Sequence, residues 1–89
     1  VKADPFLAQF GRNVARARRR AGLTQEGLRD LSDIHPTEIS RIENGRINVK
    51  VKTVERLASF LDVTPGQLLD GRARSGATEI HRRAAPGEA

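Results

Sequence analysis

The chain has 89 residues, a formal net charge of +5 and a sequence pI of about 11.0; this points to one domain with a modest core, and to nucleic acid as the first partner to weigh against a merely solvated basic surface. It holds no cysteine, which excludes disulfides and thiolate metal sites and suits a reducing cytoplasm. No apolar run approaches the roughly 20 residues of a membrane span, no charged-then-apolar signal opens the chain, and three Phe with no Tyr or Trp leave few platforms for stacking single-stranded bases, so duplex recognition is favoured.

In chain order, Asp4-Pro5 predicts a helix start: a cap acceptor, then a ring whose missing N–H costs nothing there. Leu7, Phe10, Val14, Ala17 and Ala21 recur at three- and four-residue steps as one inward stripe, and Gly22 stops the helix. Arg12, Arg16, Arg19 and Arg20 fall on the opposite face. Thr24 caps a second helix to about Ser32, with Leu28 and Leu31 inward; Asp33 suits a left-handed turn and Ile34 a buried plug. Pro36 opens a third helix whose large apolar side chains are Ile39 and Ile42, ended by Asn44-Gly45. A loop over 46–50 leads to a fourth helix with Val51, Val54, Leu57, Ala58 and Leu61 inward. Thr64-Pro65-Gly66-Gln67 is a capping box opening a short fifth helix with Leu68 and Leu69. Beyond Gly71 the composition shifts to Arg, Ala, Gly, Ser and Pro. Residues 72–89 read as a basic, mostly disordered tail with a fraying turn near 79–85, after a domain over 5–71. The expected fold is all-α, with five helices.

The second and third helices are separated by about three residues, the spacing of a helix-turn-helix. In that arrangement the later helix rests on the domain by a narrow edge and lays its other faces in the DNA major groove. The stretch PTEISRIENGR fits: Ile39 and Ile42 anchor, while Thr37, Glu38 and Arg41 point away. Arg41, one turn in, can donate two bonds to guanine, and Thr37 can meet a thymine methyl or a phosphate. An ordinary solvated helix face is the competing reading.

The run LTQEGLRDLSDIHPTEISRIENGR resembles the helix-turn-helix of the lambda-repressor/Cro-like, or XRE, family, and the likeness extends from about Phe10 through Leu69. Leu23-Thr24-Gln25-Glu26, Leu28, Ile34, Ile39-Ser40, Ile42-Glu43 and Gly45 match in register, as do Thr53, Leu57-Ala58, Leu61 and Val63 later on. The resemblance implies that Pro36, Thr37, Glu38 and Arg41 face bases. It implies that Gln25 bonds a phosphate and braces the recognition helix, and that Asn44 and Arg46 contact the backbone. Glu43 matches a structural position, with Arg12 or Arg16 as its expected partner. Three departures stand out. Arg29 replaces a small residue at the helix–helix contact; either its stem lies along the surface with its head in water, or the two helices sit slightly farther apart. Asp33 replaces the turn glycine. Pro36 replaces a bonding side chain, so one base contact is expected to be missing. Lys50 and Lys52 stand where the family more often has a polar cap and an acid; a positive helix start carrying two lysines is explained by a nearby DNA phosphate, or by side chains extending into water.

His35 and His81 are far apart and without cysteine, so neither a metal site, a cofactor nor a catalytic pair is expected, and His35 is placed at the turn, near a phosphate. The leading reading is a cytoplasmic, homodimeric transcriptional regulator bound to a double-stranded operator, its interface near Val63, Leu68 and Leu69. NVKVKTVERL is similar to the small controller proteins of restriction–modification operons, a subclass of that reading. The alternatives are an antitoxin-like autoregulator that grips a partner protein through its tail, where Ile80 is the large apolar anchor, and an interaction module that never touches DNA.

Overall fold

The computed structural model describes residues 4–71. Five helices follow in order: α1 Pro5–Arg20, α2 Gln25–Ser32, α3 Pro36–Glu43, α4 Val51–Leu61 and α5 Pro65–Leu69, and no strand occurs among the described residues. The tail expected over 72–89 lies outside them.

Local chemistry accounts for the ends. Asp4 Oδ1 accepts from the amides of Phe6 and Leu7 at 2.8 and 3.2 Å, satisfying two first-turn donors of α1. At the other end Gly22 adopts φ +76, and the amides of Leu23 and Gly22 return to the carbonyls of Arg18 and Arg19 at 3.1 and 2.9 Å, a Schellman closure. Thr64 and Gln67 form the expected capping box, with both reciprocal bonds present.

The helices enclose one core. Phe10, Val14 and Ala17 of α1 meet Leu28 of α2, Ile39 and Ile42 of α3, Val54, Leu57, Ala58 and Leu61 of α4, and Leu68 of α5, with Ile34 filling the turn. α1 and α3 pack closely because position 11 is glycine. A Cβ there would stand 2.4 Å from the Ile42 carbonyl oxygen and 2.5 Å from that of Glu43. Gly45, at φ +70 just past α3, passes over α1 in the same way: a Cβ would fall 2.7 Å from Ala8 Cα. The left-handed backbone and the tight approach each require glycine at this position.

Five expected inward residues are not in the core: Leu7, in the first turn of α1, is only half-buried, and four others are exposed. Leu31 is 50% exposed, because α2 presents Leu28 and Ser32, one turn apart, to its neighbours and Leu31 falls to the side of that line. Val51 is 82% exposed, since it lies in the first turn of α4, ahead of the point where that helix reaches the core at Val54. Leu69 is 40% exposed, because α5 ends there and spends its inward turn on Leu68. Ala21 is exposed at the C-cap of α1.

Asn13 is a buried polar residue that the hydrophobic stripe hides. Its Nδ2 donates to the carbonyls of Leu68 and Asp70 at 2.9 and 3.0 Å, while its Oδ1 accepts from Gln9 Nε2 at 2.9 Å. The short α5 is thereby tied to α1 through its C-terminal carbonyls, which the helix itself leaves without partners.

Candidate nucleic-acid interface

The turn between α2 and α3 is built from three interlocking features. Asp33 takes the left-handed conformation at φ 64, and its amide closes on the Arg29 carbonyl at 2.7 Å. Ser32, buried, donates from Oγ to the Leu28 carbonyl at 2.7 Å and accepts from the Ile34 amide at 3.2 Å. The Arg56 guanidinium, reaching over from α4, donates to the Ser32 carbonyl. A buried backbone carbonyl without such a donor would be costly.

α3 then starts on His35, whose Nδ1 accepts from the Thr37 amide at 3.1 Å. Pro36 occupies the first helical position, half-buried. Ile39 and Ile42 are 0% and 1% exposed; each contributes about 2 kcal/mol by burial, and together they hold α3 to the domain. Thr37, Glu38 and Arg41 are exposed, and none is in an ion pair among the described residues. Thr37 and Arg41 are four apart and share a face.

The end of α3 is braced from below. Arg18 Nε lies 2.7 Å from Glu43 Oε2 and its Nη2 3.0 Å from Oε1. Gln25 Nε2 donates to the same Oε1 at 3.0 Å, and Arg18 Nη1 donates to the Leu23 carbonyl at 2.9 Å. The bond to Glu43 raises the Arg18 pKa above its ordinary value, against the opposing effect of burial. The partner of Glu43 is thus neither Arg12 nor Arg16. Arg12 bonds Gln9 Oε1 at 3.0 Å and Arg16 reaches Asn13 Oδ1 at 3.5 Å. Arg18 is seven residues beyond Gly11 and so shares the face of α1 that touches Glu43. That recurrence was the available sequence signal; Asn13 offered none.

The remaining expected contact residues lie around this frame. Gln25 is half-buried at the start of α2. Asn44 is exposed, and its Nδ2 donates to the Ser40 carbonyl at 2.8 Å. Arg46 is exposed just past Gly45. Lys50 is the N-cap of α4 and makes no side-chain cap bond. Lys52 Nζ stands 2.6 Å from Glu55 Oε1, which draws the exposed Glu55 carboxyl below its usual pKa. Lys52 therefore has a carboxylate partner that the sequence pattern did not give it. Arg29 is exposed as expected and pairs with Asp30 at 3.0 Å. Of the expected dimer contacts, Leu68 is buried at 1% and unavailable, Val63 packs partly against the core, and Leu69 remains at the surface. Among the described residues no cluster of His, Cys, Asp or Glu could hold a metal ion, and no helix is long and apolar enough to cross a membrane.

Residues 9–71 match the family model described as a helix-turn-helix domain. The control protein C.BamHI of Bacillus amyloliquefaciens is 39% identical over 62 residues, covering 68% of this chain and 76% of that protein. The uncharacterized HTH-type transcriptional regulator y4dJ of Sinorhizobium fredii is 41% identical over 59 residues, 66% of this chain and 77% of its own. Among solved structures, the restriction-modification controller protein C.AhdI from Aeromonas hydrophila superposes with a TM-score of 0.67 at 34% identity, covering 70% of this chain and 94% of that one.

Proposed function

The chain belongs to the helix-turn-helix domain family, and from that premise we propose that it is a transcriptional regulator that binds duplex DNA in a sequence-specific manner, with α3 in the major groove. The observation that carries the proposal is the division of α3. Ile39 and Ile42 are spent on the core, while Thr37, Glu38 and Arg41 stand exposed and free of ion pairs among the described residues. A helix held by one edge with polar side chains on its outer faces suits a groove lined with donors and acceptors. A protein-interaction helix would instead present apolar side chains there.

In this reading Arg41 is the principal base reader, Thr37 and Glu38 face neighbouring base edges, and Pro36 offers only apolar contact. Asn44 and Arg46 follow the recognition helix onto the sugar–phosphate backbone, joined by Lys50. Lys52 can join them only by sharing its ammonium with Glu55. Gln25, with one N–H given to Glu43, has a second with which to hold a phosphate, so one amide braces the helix and registers it on the duplex.

We assign the chain no catalytic role and a place in the cytoplasm, where its operator would be. It acts as a homodimer on two half-sites about one helical turn, roughly 34 Å, apart, with the contact near Val63 and the exposed Leu69. The likeness to C.BamHI and C.AhdI favours, as a narrower reading, control of a restriction–modification operon. Selection of bound sequences from a random duplex pool, followed by footprinting, tests the proposal. It expects one enriched motif with two related halves. Enrichment of no motif, or protection of a single half-site by a monomer, counts against it.

A further inference from the structure

Arg12, Arg16 and Arg19 repeat at steps of four and three along α1; all three are exposed, and none is in an ion pair among the described residues. The spacing places them on one face, next to the side on which Gly11 and Arg18 meet α3. The ion pairs among the described residues engage Arg18, Arg29 and Lys52, so this ridge has no carboxylate partner there. Basic residues in the last turn of a helix are explained by its dipole. That accounts for Arg19, but Arg12 and Arg16 lie too far from the end. Like charges four apart are mildly unfavourable in isolation, and an external anion would reverse that sign.

The ridge borders a polar trough. Arg12, Arg16 and Arg19 line it together with Ala15 and Arg18 of the same helix, and Gln25 and Asn44 line it as well. Glu43 also lines it, but its two oxygens are held by Arg18, so the carboxylate at the trough is already neutralised. From Arg12 to Arg19 the ridge runs about 10 Å at 1.5 Å per residue, the axial rise of about three nucleotides at 3.4 Å each.

We propose that the ridge Arg12, Arg16 and Arg19 is a second phosphate track, taking the sugar–phosphate backbone of the same duplex where it runs beyond the half-site read by α3. The inference rests on the proposed DNA-binding function. Its own support is that Gln25 and Asn44, the residues assigned there to backbone contact, line the same trough as the ridge.

The test compares wild type with R12Q/R16Q on two duplexes. One carries the selected site with a full helical turn of flanking sequence on each side; the other is trimmed to the site. On the long duplex the salt slope of log K should fall in magnitude by about 0.9 for each phosphate no longer neutralised, or about 1.8 for the pair. On the trimmed duplex the two proteins should have equal slopes. Ethylation of flanking phosphates should hinder wild type and leave the variant indifferent, and R12K/R16K should restore the slope. Because both side chains are exposed, the variant should melt no lower than wild type, so weak binding cannot be blamed on unfolding. An equal slope on the long duplex, with site-specific binding intact, overturns the ridge alone. A difference that persists on the trimmed duplex puts the contacts inside the half-site and overturns the flank assignment. Failure of wild type to bind any duplex overturns the proposed function itself, and the ridge with it.

Discussion

Arg18 grips both carboxylate oxygens of Glu43 across the α1–α3 contact, at 2.7 and 3.0 Å, with side-chain exposures of only 11% and 7%. Fork-on-fork geometry fixes direction as well as distance. Gln25 joins the same carboxylate, so the first turn of α2, the last turn of α3 and the end of α1 converge on one group. The recognition helix is therefore oriented at both ends, by the Ser32–Asp33 turn before it and by Glu43 at its close.

Removing one partner of that pair should be costly. Arg18→Ala leaves a nearly buried carboxylate with a single neutral donor, and about 3 kcal/mol of stability should be lost. In urea titration the midpoint should fall with the slope unchanged. The double variant R18M/E43L should lose much less, since neither charge is then stranded. A loss under about 1 kcal/mol for R18A would mean that the pair behaves as an exposed one.

Asn13 makes a second test of buried polar satisfaction. Asn13→Leu keeps the volume but removes the donor to the Leu68 and Asp70 carbonyls. The expected cost is about 2 kcal/mol. It should be concentrated in α5: amide exchange at Leu68 and Leu69 should accelerate more than at Leu57. Uniform acceleration would show that α5 does not depend on this bond.

On DNA, Arg41→Ala should cost about 1–3 kcal/mol on the best site and flatten the preference at one base pair, expected to be G·C. Competition binding against single-base variants of the selected site reads this directly. Equal weakening on every sequence would assign Arg41 to a phosphate. Gln25→Ala should weaken all sequences alike, and should also lower stability because it frees one Glu43 oxygen.

At the start of α4, Lys50 caps nothing. Lys50→Ser supplies the missing acceptor for a first-turn amide and should stabilise the free protein by about 1 kcal/mol. If Lys50 holds a phosphate, the same change lowers the magnitude of the salt slope by about 0.9. Melting and salt titration together separate the two effects. Lys52→Asp should differ in kind, because it also sets two carboxylates three apart on the helix in place of the Lys52–Glu55 pair and should lower stability.

The sequence by itself determined the features that depend on a few neighbouring residues. Asp4-Pro5, Thr24, Pro36 and the Thr64 box start helices because an acceptor or a proline ring acts within one turn. Gly22, Asp33 and Gly45 end them because the left-handed conformation is a property of the residue that adopts it. With the three-residue turn, those signals were enough to read the helix-turn-helix and to separate Ile39 and Ile42 from Thr37, Glu38 and Arg41. Only the tertiary structure decided which arginine serves Glu43, that Asn13 seals α5, that Leu31, Val51 and Leu69 face outward, and that Lys52 is already paired. A stripe of apolar residues states that a helix has an inner face, but not where along its length the neighbouring helix arrives. Arg18 rather than Arg12 or Arg16 meets Glu43 because Gly11 lets α3 approach that side of α1. That contact joins residues 25 apart in the chain, and its geometry exists only once both helices are packed.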